Sequence, residues 1–367
     1  QINVGRIDLR FPLNLLVRDV EVVQAPDTLL TLASLNVHVQ AMPLFKGKIE
    51  VDDITIQRVA VNSANLIEGM QIRGVLGRFF LESHGVDLGN ELAVINRAEL
   101  SDTHIGLILT DTTTTEKPDT ASAPVNWKVN LHALNLKNVS FSMQLPADSM
   151  RMAAHVGEAT VNDVSADLKQ QFYGLRSFLL TGASVNYDTG NALPAEGFDP
   201  SHIALRDIRI GIDSVLYQGR NMNAVIREFS MNERSGLSVT SLTGRVFADS
   251  TLIRVPYFRL LTTGRLTARF NALIGKQDVL LFAGELPDAF KDAYPFRPLV
   301  VQAGTEGNLK SMQISRFKID LPGAFSLDGG GELYNLMDSV TRSAAIDLKM
   351  RTGNLNFLTA LADMKPG

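Results

Sequence analysis

Cysteine is absent from this chain, and aromatic residues make up only 7% of its 367 positions. The missing thiols exclude disulfides, thiolate metal sites, iron–sulfur clusters and cysteine nucleophiles. Long apolar runs are missing too. No stretch reaches the roughly 18 residues that a membrane-crossing helix needs, and no signal peptide is visible. An excess of positive charge is likewise lacking. Lys and Arg total 35 against 39 Asp and Glu, a net charge of -4, so no nucleic-acid partner is expected. The chain opens on Gln1 rather than Met. It reads as a processed product or a piece of something longer, with any anchor or export signal lying before it.

Catalytic and metal-binding patterns are also scarce. His38, His84, His104, His132, His155 and His202 show neither HxH nor HxxxH spacing. His38 and His132 fall on the polar phase of strands, as ordinary solvent-facing positions. There is no G-x-S-x-G elbow, Walker loop or G-x-G-x-x-G. The acidic pair Asp52-Asp53 reads as a solvated bulge or turn, and Trp127 as a packing anchor. A non-enzymatic protein without a cofactor or metal is expected.

What the sequence does have is alternation. Hydrophobic residues make up 45% of it, and they recur at every second position. Ile203 and Leu205, then Ile208, Ile210 and Ile212, alternate with Ala204, Arg209 and Gly211. This period predicts strands with one apolar and one wet face. Helical spacing is confined to short stretches at 288–293, 333–340 and 355–362.

A second regularity interrupts the first. Val51, Ile54, Ile56, Val59 and Val61 are spaced three, two, three and two apart, and so are Leu131, Leu134, Leu136, Val139 and Phe141. Leu205, Ile208, Ile210, Ile212, Val215 and Tyr217 form a longer version. Val17, Val20 and Val22, and Val161, Val164 and Ala166, form fainter ones. Each gap of three is either a β-bulge that keeps the apolar face on one side, or a sharp turn between short strands. The bulge is favoured, because pairs such as Arg206-Asp207 make poor two-residue hairpin turns.

The clearest break is the Thr- and Pro-rich stretch 111–124, which separates an expected β segment 1–110 from a continuing one, 125–367. Smaller breaks fall at 188–200 and 328–331. The fold expected is all-β: one elongated repeating sheet curled into an open U-shaped groove, with few short helices. A sandwich or closed barrel would hide the apolar face equally well, and periodicity alone does not separate the three. Under the groove reading the lining includes Ile49, Val51, Ile54 and Ile56, then Leu131, Leu134, Leu136, Val139 and Phe141. It continues with Ile203, Leu205, Ile208, Ile210 and Ile212. Such a wall offers no directional contacts and would suit phospholipid acyl chains, at about 0.8 kcal/mol per buried methylene.

The stretch from Ile7 to Asn62 carries a resemblance. Its LRFPLNLLVRDVEVVQAPDTLL opening, the strand LNVHVQAMPLFKGKIEV and the following DDITIQRVAVN resemble the N-terminal region of AsmA-like proteins, in particular the TamB branch of Bacteroidetes. The later segments HIALRDIRIGIDSVLYQG and GLSVTSLTGRVFADSTLIRVP repeat the style. The resemblance implies an inner-membrane anchor helix, a curled β-groove spanning the periplasm, and phospholipid transport towards the outer membrane. It also implies an outer-membrane barrel partner in protein assembly and secretion. The membrane helix and the barrel-contacting C-terminal domain of that family are not seen in this sequence. Two alternatives stand beside the lipid groove: an assembly factor that pairs an exposed strand edge with client strands, and a surface β-solenoid adhesin.

A short Asp-Ser/Thr-apolar pattern resembles the O-glycosylation acceptor of exported Bacteroidetes proteins. It places candidate sites at Thr28, Thr112, Thr120, Ser149, Ser214, Ser250 and Ser339. Asp-Ser/Thr pairs also suit turns between strands.

Overall fold

The computed structural model describes residues 1–11, 13–40, 51–63, 69–87, 91–110, 126–218, 221–248, 265–282, 286–336 and 338–359. Its fold is all-β, as the alternation predicts. Among the described residues seventeen strands belong to one sheet that does not close into a barrel, and three short helices accompany it. The chain divides into two compact units, Gln1–Ala192 with Leu216–Gly219, and Leu193–Val215 with Arg220–Gly367. The expected linker 111–124 lies outside the described residues.

The first unit holds β1 (Ile2–Arg10), β2 (Asn14–Gln24), β3 (Asp27–Val39), β4 (Val51–Asn62), β5 (Met70–Asp87), β6 (Leu92–Leu109), β7 (Lys128–Leu145), β8 (Met150–Asp167) and β9 (Phe172–Asp188). Each pairs with the next in chain order. All these pairs are antiparallel except β6 with β7, which run parallel. A parallel pair needs a crossover of a dozen or more residues, and the chain between Leu109 and Lys128 is long enough to supply it.

β10 (His202–Gln218) crosses the boundary between the units, which falls just after Ser214 and Val215. The second unit continues with β11 (Asn221–Glu233), β12 (Ser238–Ala248), β13 (Arg265–Ile274), β14 (Leu299–Gly307), β15 (Ser311–Leu321), β16 (Phe325–Tyr334) and β17 (Ser343–Thr352). From β11 to β17 each is antiparallel to the next. Its helices are α1 (Lys276–Phe282), α2 (Asp288–Ala293) and α3 (Asn356–Thr359).

The helix expected at 288–293 is present as α2. The one expected at 355–362 is present in its described part as α3. The one expected at 333–340 is not a helix: β16 runs to Tyr334 and a turn follows. There the Asp338 carboxylate accepts from the Val340 amide at 2.9 Å and the Thr341 hydroxyl at 2.7 Å, which closes a tight turn. The break expected at 328–331 is the middle of β16. Gly329 is needed there because a Cβ would come within 2.6 Å of the Asp347 carbonyl oxygen on β17.

The three-residue gaps are not turns between short strands, and at Asp19, Arg58, Asn138 and Asp163 they are not bulges that set two residues against one either, because pairing skips residues on both strands and resumes in the same register. Asp19, Arg58, Asn138, Asp163, Asp207 and Ser214 all have φ between 47° and 56° inside continuous strands. Asp and Asn tolerate this left-handed conformation better than most residues. The strands therefore bend without ending, and the apolar side chains keep to one face.

Among the described residues the buried hydrophobic cluster lies in the second unit. Leu280 of α1, Phe290 and Tyr294 of α2 and its C-cap, and Phe357 of α3 pack with Leu321 and Ala324. The three rings stand 5.5–5.9 Å apart, two of the pairs edge-on. α1 and α2 form an excursion between the paired strands β13 and β14, and they fold against Leu299 and Phe325 at one margin of the sheet.

Candidate functional site

The strand registers turn the alternation of each strand into rows that cross the first unit. One row runs Ile7, Val17, Leu35, Ile56, Phe79, Leu100, Leu136, Ala159, Leu180, one residue from each of nine strands. Beside it runs Leu9, Leu15, Val37, Ile54, Leu81, Ala98, Leu134, Val161, Phe178. On the other side lies Val4, Val20, Leu32, Val59, Leu76, Thr103, Val139, Val156. A fourth row carries Phe141 between Ile105 and Ala154. None of the side chains named in these rows is charged.

Among the described residues the large apolar side chains of this face are not buried. Within the described first unit the buried apolar residues are Ala98, Ala159 and Ala183, at 8, 4 and 4% exposure. Every Leu, Ile, Val and Phe of the four rows is half-buried or exposed. A closed sandwich core would bury such side chains almost fully.

The opposite face is polar. Arg6, Arg18, Ser34, Gln57, Arg78, Ser101, Lys137, Glu158 and Thr181 form the row that backs the apolar lattice. Arg78 pairs with Glu99 at 3.3 Å. His38, expected as a plain solvent-facing residue, is half-buried, with Nδ1 2.7 Å from Asp53 and Nε2 2.7 Å from the Asn14 side-chain amide. That arrangement orients an imidazole, but its third member is an amide and not a nucleophile. Among the described residues no cluster of His, Asp and Glu is arranged to hold a metal ion.

The bends fall in register and form creases. Between β1 and β9 the ladder skips one residue on each strand, and two on each between β8 and β9, along the line Gly5, Asp19, Ala33, Arg58, Gly77, Asp102, Asn138, Gly157, Gly182, without any change of register. Asp19, Arg58, Asp102, Asn138 and Gly182 on this line have φ of 50–62°. Small residues stand between them because there is no room: a Cβ on Gly77 would come 2.7 Å from Asp102 Cβ and 2.8 Å from its carbonyl oxygen. Where β6 and β7 run parallel two left-handed residues are adjacent, and Asn138 donates to the Asp102 carboxylate at 2.7 Å. A second crease crosses β6 to β9 through Asn96, His132, Asp163 and Arg176. There Asp163 accepts from Arg176 at 2.5 Å, and His132 lies 3.1 Å from it. The His132 hydrogen bond, helped by the charges of Arg176 and His132, holds the Asp163 carboxyl below the usual range against the opposing effect of desolvation.

The candidate lining residues of β4 and β7 fall into this lattice. Ile54 and Leu134 share one row, Ile56 and Leu136 the next, and Val139 and Phe141 the two beyond the crease. Val51 pairs with Val39, and Leu131 with Ile95 and Val164. Ile49 lies outside the described residues. In the second unit Ile203, Leu205, Ile210 and Ile212 are half-buried on β10, whereas Ile208 is buried. That unit has rows of its own, such as Phe229, Leu242, Phe270, Ala303, Phe317, Gly329, Leu348. Periodicity did not point to Phe79, Leu100 and Phe178, since only the pairing of strands brings them beside the others.

Of the candidate modification sites, Thr28 is exposed on β3, Ser214 is exposed within β10, and Ser339 is exposed in the β16–β17 turn. Ser149 is half-buried at the end of the turn Pro146–Asp148, with φ 50°. Thr112, Thr120 and Ser250 lie outside the described residues. Near the start of β10, backbone amides of Ala195 and Ser201 and the His202 ring hold the Asp199 carboxyl down to about 2.

No protein-family model matches the chain. No curated protein matches it either.

Proposed function

We propose that the apolar face is a groove for lipid hydrocarbon, and that the chain is a non-enzymatic section of a phospholipid carrier in the bacterial cell envelope. The observation that carries this reading is the lattice of the first unit: rows of Leu, Ile, Val and Phe crossing nine strands, with no charge in them and with their large side chains left unburied among the described residues. Left in water, such a surface would be costly at about 25 cal/mol per Å². Single-layer apolar faces of this extent mark interaction sites. Acyl chains fit its chemistry, because they need exclusion from water and no hydrogen-bond partner. In this reading the protein is AsmA-like, of the TamB type, working in the periplasm. Its full-length form would be anchored in the inner membrane and meet an outer-membrane barrel partner.

The test is native mass spectrometry and solvent extraction of the purified chain. Phospholipid should co-purify and leave on delipidation. A chain that carries no lipid, and takes none up from vesicles, would not be a lipid groove.

One observation favours the assembly reading as a second. β17 is exposed along all ten residues, and its register against β16 is unbroken. Ile346, Leu348 and Met350 are exposed there at 45, 54 and 57%. A client strand could add to such a strand through its backbone, and a labelled outer-membrane barrel hairpin that cross-links to β17 would support this over the lipid reading.

A further inference from the structure

Among the described residues β17 pairs with β16 alone, in a register unbroken over all ten positions. The chain that follows leaves the open side of β17 clear. The Gly353 amide donates to the Ala324 carbonyl at 2.6 Å, and Phe357 of α3 then joins the buried cluster with Phe290 and Tyr294. The backbone groups of β17 alternate between its two sides. The carbonyl oxygens of Ala345 and Asp347 crowd Gly331 and Gly329 of β16. Those of Ala344, Ile346, Leu348, Met350 and Thr352 therefore point to the open side, with their amides.

This edge has no proline, glycine or bulge to resist strand addition. Charge is the remaining guard, and a guard of one sign repels a second copy in every register. Here the signs are mixed: Asp347, Lys349 and Arg351 share one side of the strand, and Ile346, Leu348 and Met350 the other. Set β17 antiparallel to β17 of a second copy, with Leu348 opposite Leu348. Asp347 then faces Lys349, Lys349 faces Asp347, and Ile346 meets Met350. Sliding the strands by two residues puts Asp347 against Asp347 or Lys349 against Lys349, so charge pairing selects the centred register.

We propose that β17 is a self-pairing edge, through which two copies of this chain join as an isologous dimer with its two-fold axis at Leu348. About ten backbone hydrogen bonds close the junction. A contact one strand wide buries less surface than a permanent dimer, so the association is reversible. The axis keeps the side-chain phase. The row Phe229, Leu242, Phe270, Ala303, Phe317, Gly329, Leu348 therefore runs on into Leu348 and Gly329 of the second copy. The inference goes beyond the lipid reading and does not depend on it.

In analytical ultracentrifugation the mass of the full chain should double with rising concentration and go no further. Lys349→Asp sets two carboxylate pairs across the junction, and Asp347→Lys two ammonium pairs. Each variant alone should dimerise about tenfold more weakly, and an equimolar mixture should return to within about threefold of wild type, because opposite charges face each other again. The chain has no cysteine of its own, which gives a second readout should a charge variant not fold. Asp347→Cys mixed with Lys349→Cys should form a mixed disulfide, since the two positions oppose each other with Cα atoms about 4.5 Å apart, and neither variant should bridge to itself. A chain that stays monomeric at every soluble concentration would overturn the inference. So would a charge-swapped mixture that dimerises no better than its parts, or masses that grow past two copies, the mark of head-to-tail joining. An edge that takes up a labelled barrel hairpin and never a second copy would overturn it in favour of a client strand.

Discussion

Leu136→Asp separates an open apolar face from a covered one. Leu136 sits in the middle of its row, opposite Leu100 on β6 and Ala159 on β8, and it is half-buried. If the face is open, the new carboxylate keeps most of its hydration. The cost is then half the burial of a leucine, about 1 kcal/mol, plus up to about 1 kcal/mol of strand propensity. If another layer covered the face, an unpaired charge would be buried and the loss would be several kcal/mol larger. Urea unfolding should therefore show a loss of about 1–2 kcal/mol. Lipid binding should respond far more. A carboxylate that keeps three methylenes away removes about 2.4 kcal/mol, roughly a 50-fold weaker affinity. A displacement titration with a fluorescent phospholipid reads this directly. Asn135→Asp, one residue away on the polar face, should change neither quantity. A stability loss above about 4 kcal/mol would refute the open face. Unchanged lipid affinity in a folded Leu136→Asp protein would refute its use.

Two further outcomes follow from local geometry. Gly77→Ala should destabilise the protein by about 1–3 kcal/mol, since its Cβ meets the backbone of Asp102. Gly182→Ala should cost only about 1 kcal/mol, because its neighbourhood is open and only the left-handed φ of 62° opposes it. Equal losses in thermal unfolding would contradict the crease geometry. Asp199 gives a pH dependence. Its folded carboxyl titrates near 2, below its unfolded value of about 3.9, so its contribution is present above pH 4 and is lost as pH falls towards 2. Hydrogen exchange at the Ala195 and Ser201 amides should rise across that window, and Asp199→Asn should show raised exchange at every pH with no acid step.

How much of this was legible depends on whether the information was local. The period of two and the gaps of three are local, and they gave the strands, the apolar face and the left-handed bends. Arg58 shows the limit, since the spacing of Ile56 and Val59 marked its bend even though arginine is not a residue that favours positive φ. The parallel pairing of β6 with β7 was not legible, because nothing in either strand's alternation states its direction. α1 was missed because KQDVLLF is too short to show a helical period. It is held by tertiary packing of Leu280 against Phe290 and Phe357. The run of three glycines, 329–331, looked like a break because glycine usually is one. In β16 it instead lets neighbouring backbones approach.

The alignment of bends was the least legible feature and the most consequential. A left-handed residue in one strand only kinks that strand. Five left-handed residues on one line across nine strands align their bends, and register exists only once the strands are paired. Gly5, Gly77 and Gly157 have no common sequence context, yet each faces a bend on the next strand, where a Cβ would lie within 2.9 Å of a neighbouring atom. Across each antiparallel pair a bend in one strand is therefore matched by a small residue in its neighbour, whereas the parallel pair β6–β7 sets two bends, Asp102 and Asn138, side by side. That is how the crease propagates across nine strands while the apolar rows stay continuous on one side. A sandwich closes its core by matching two faces. In this sheet the Leu, Ile, Val and Phe side chains of the apolar rows are half-buried or exposed, so the lattice is available to something other than the strands that carry it.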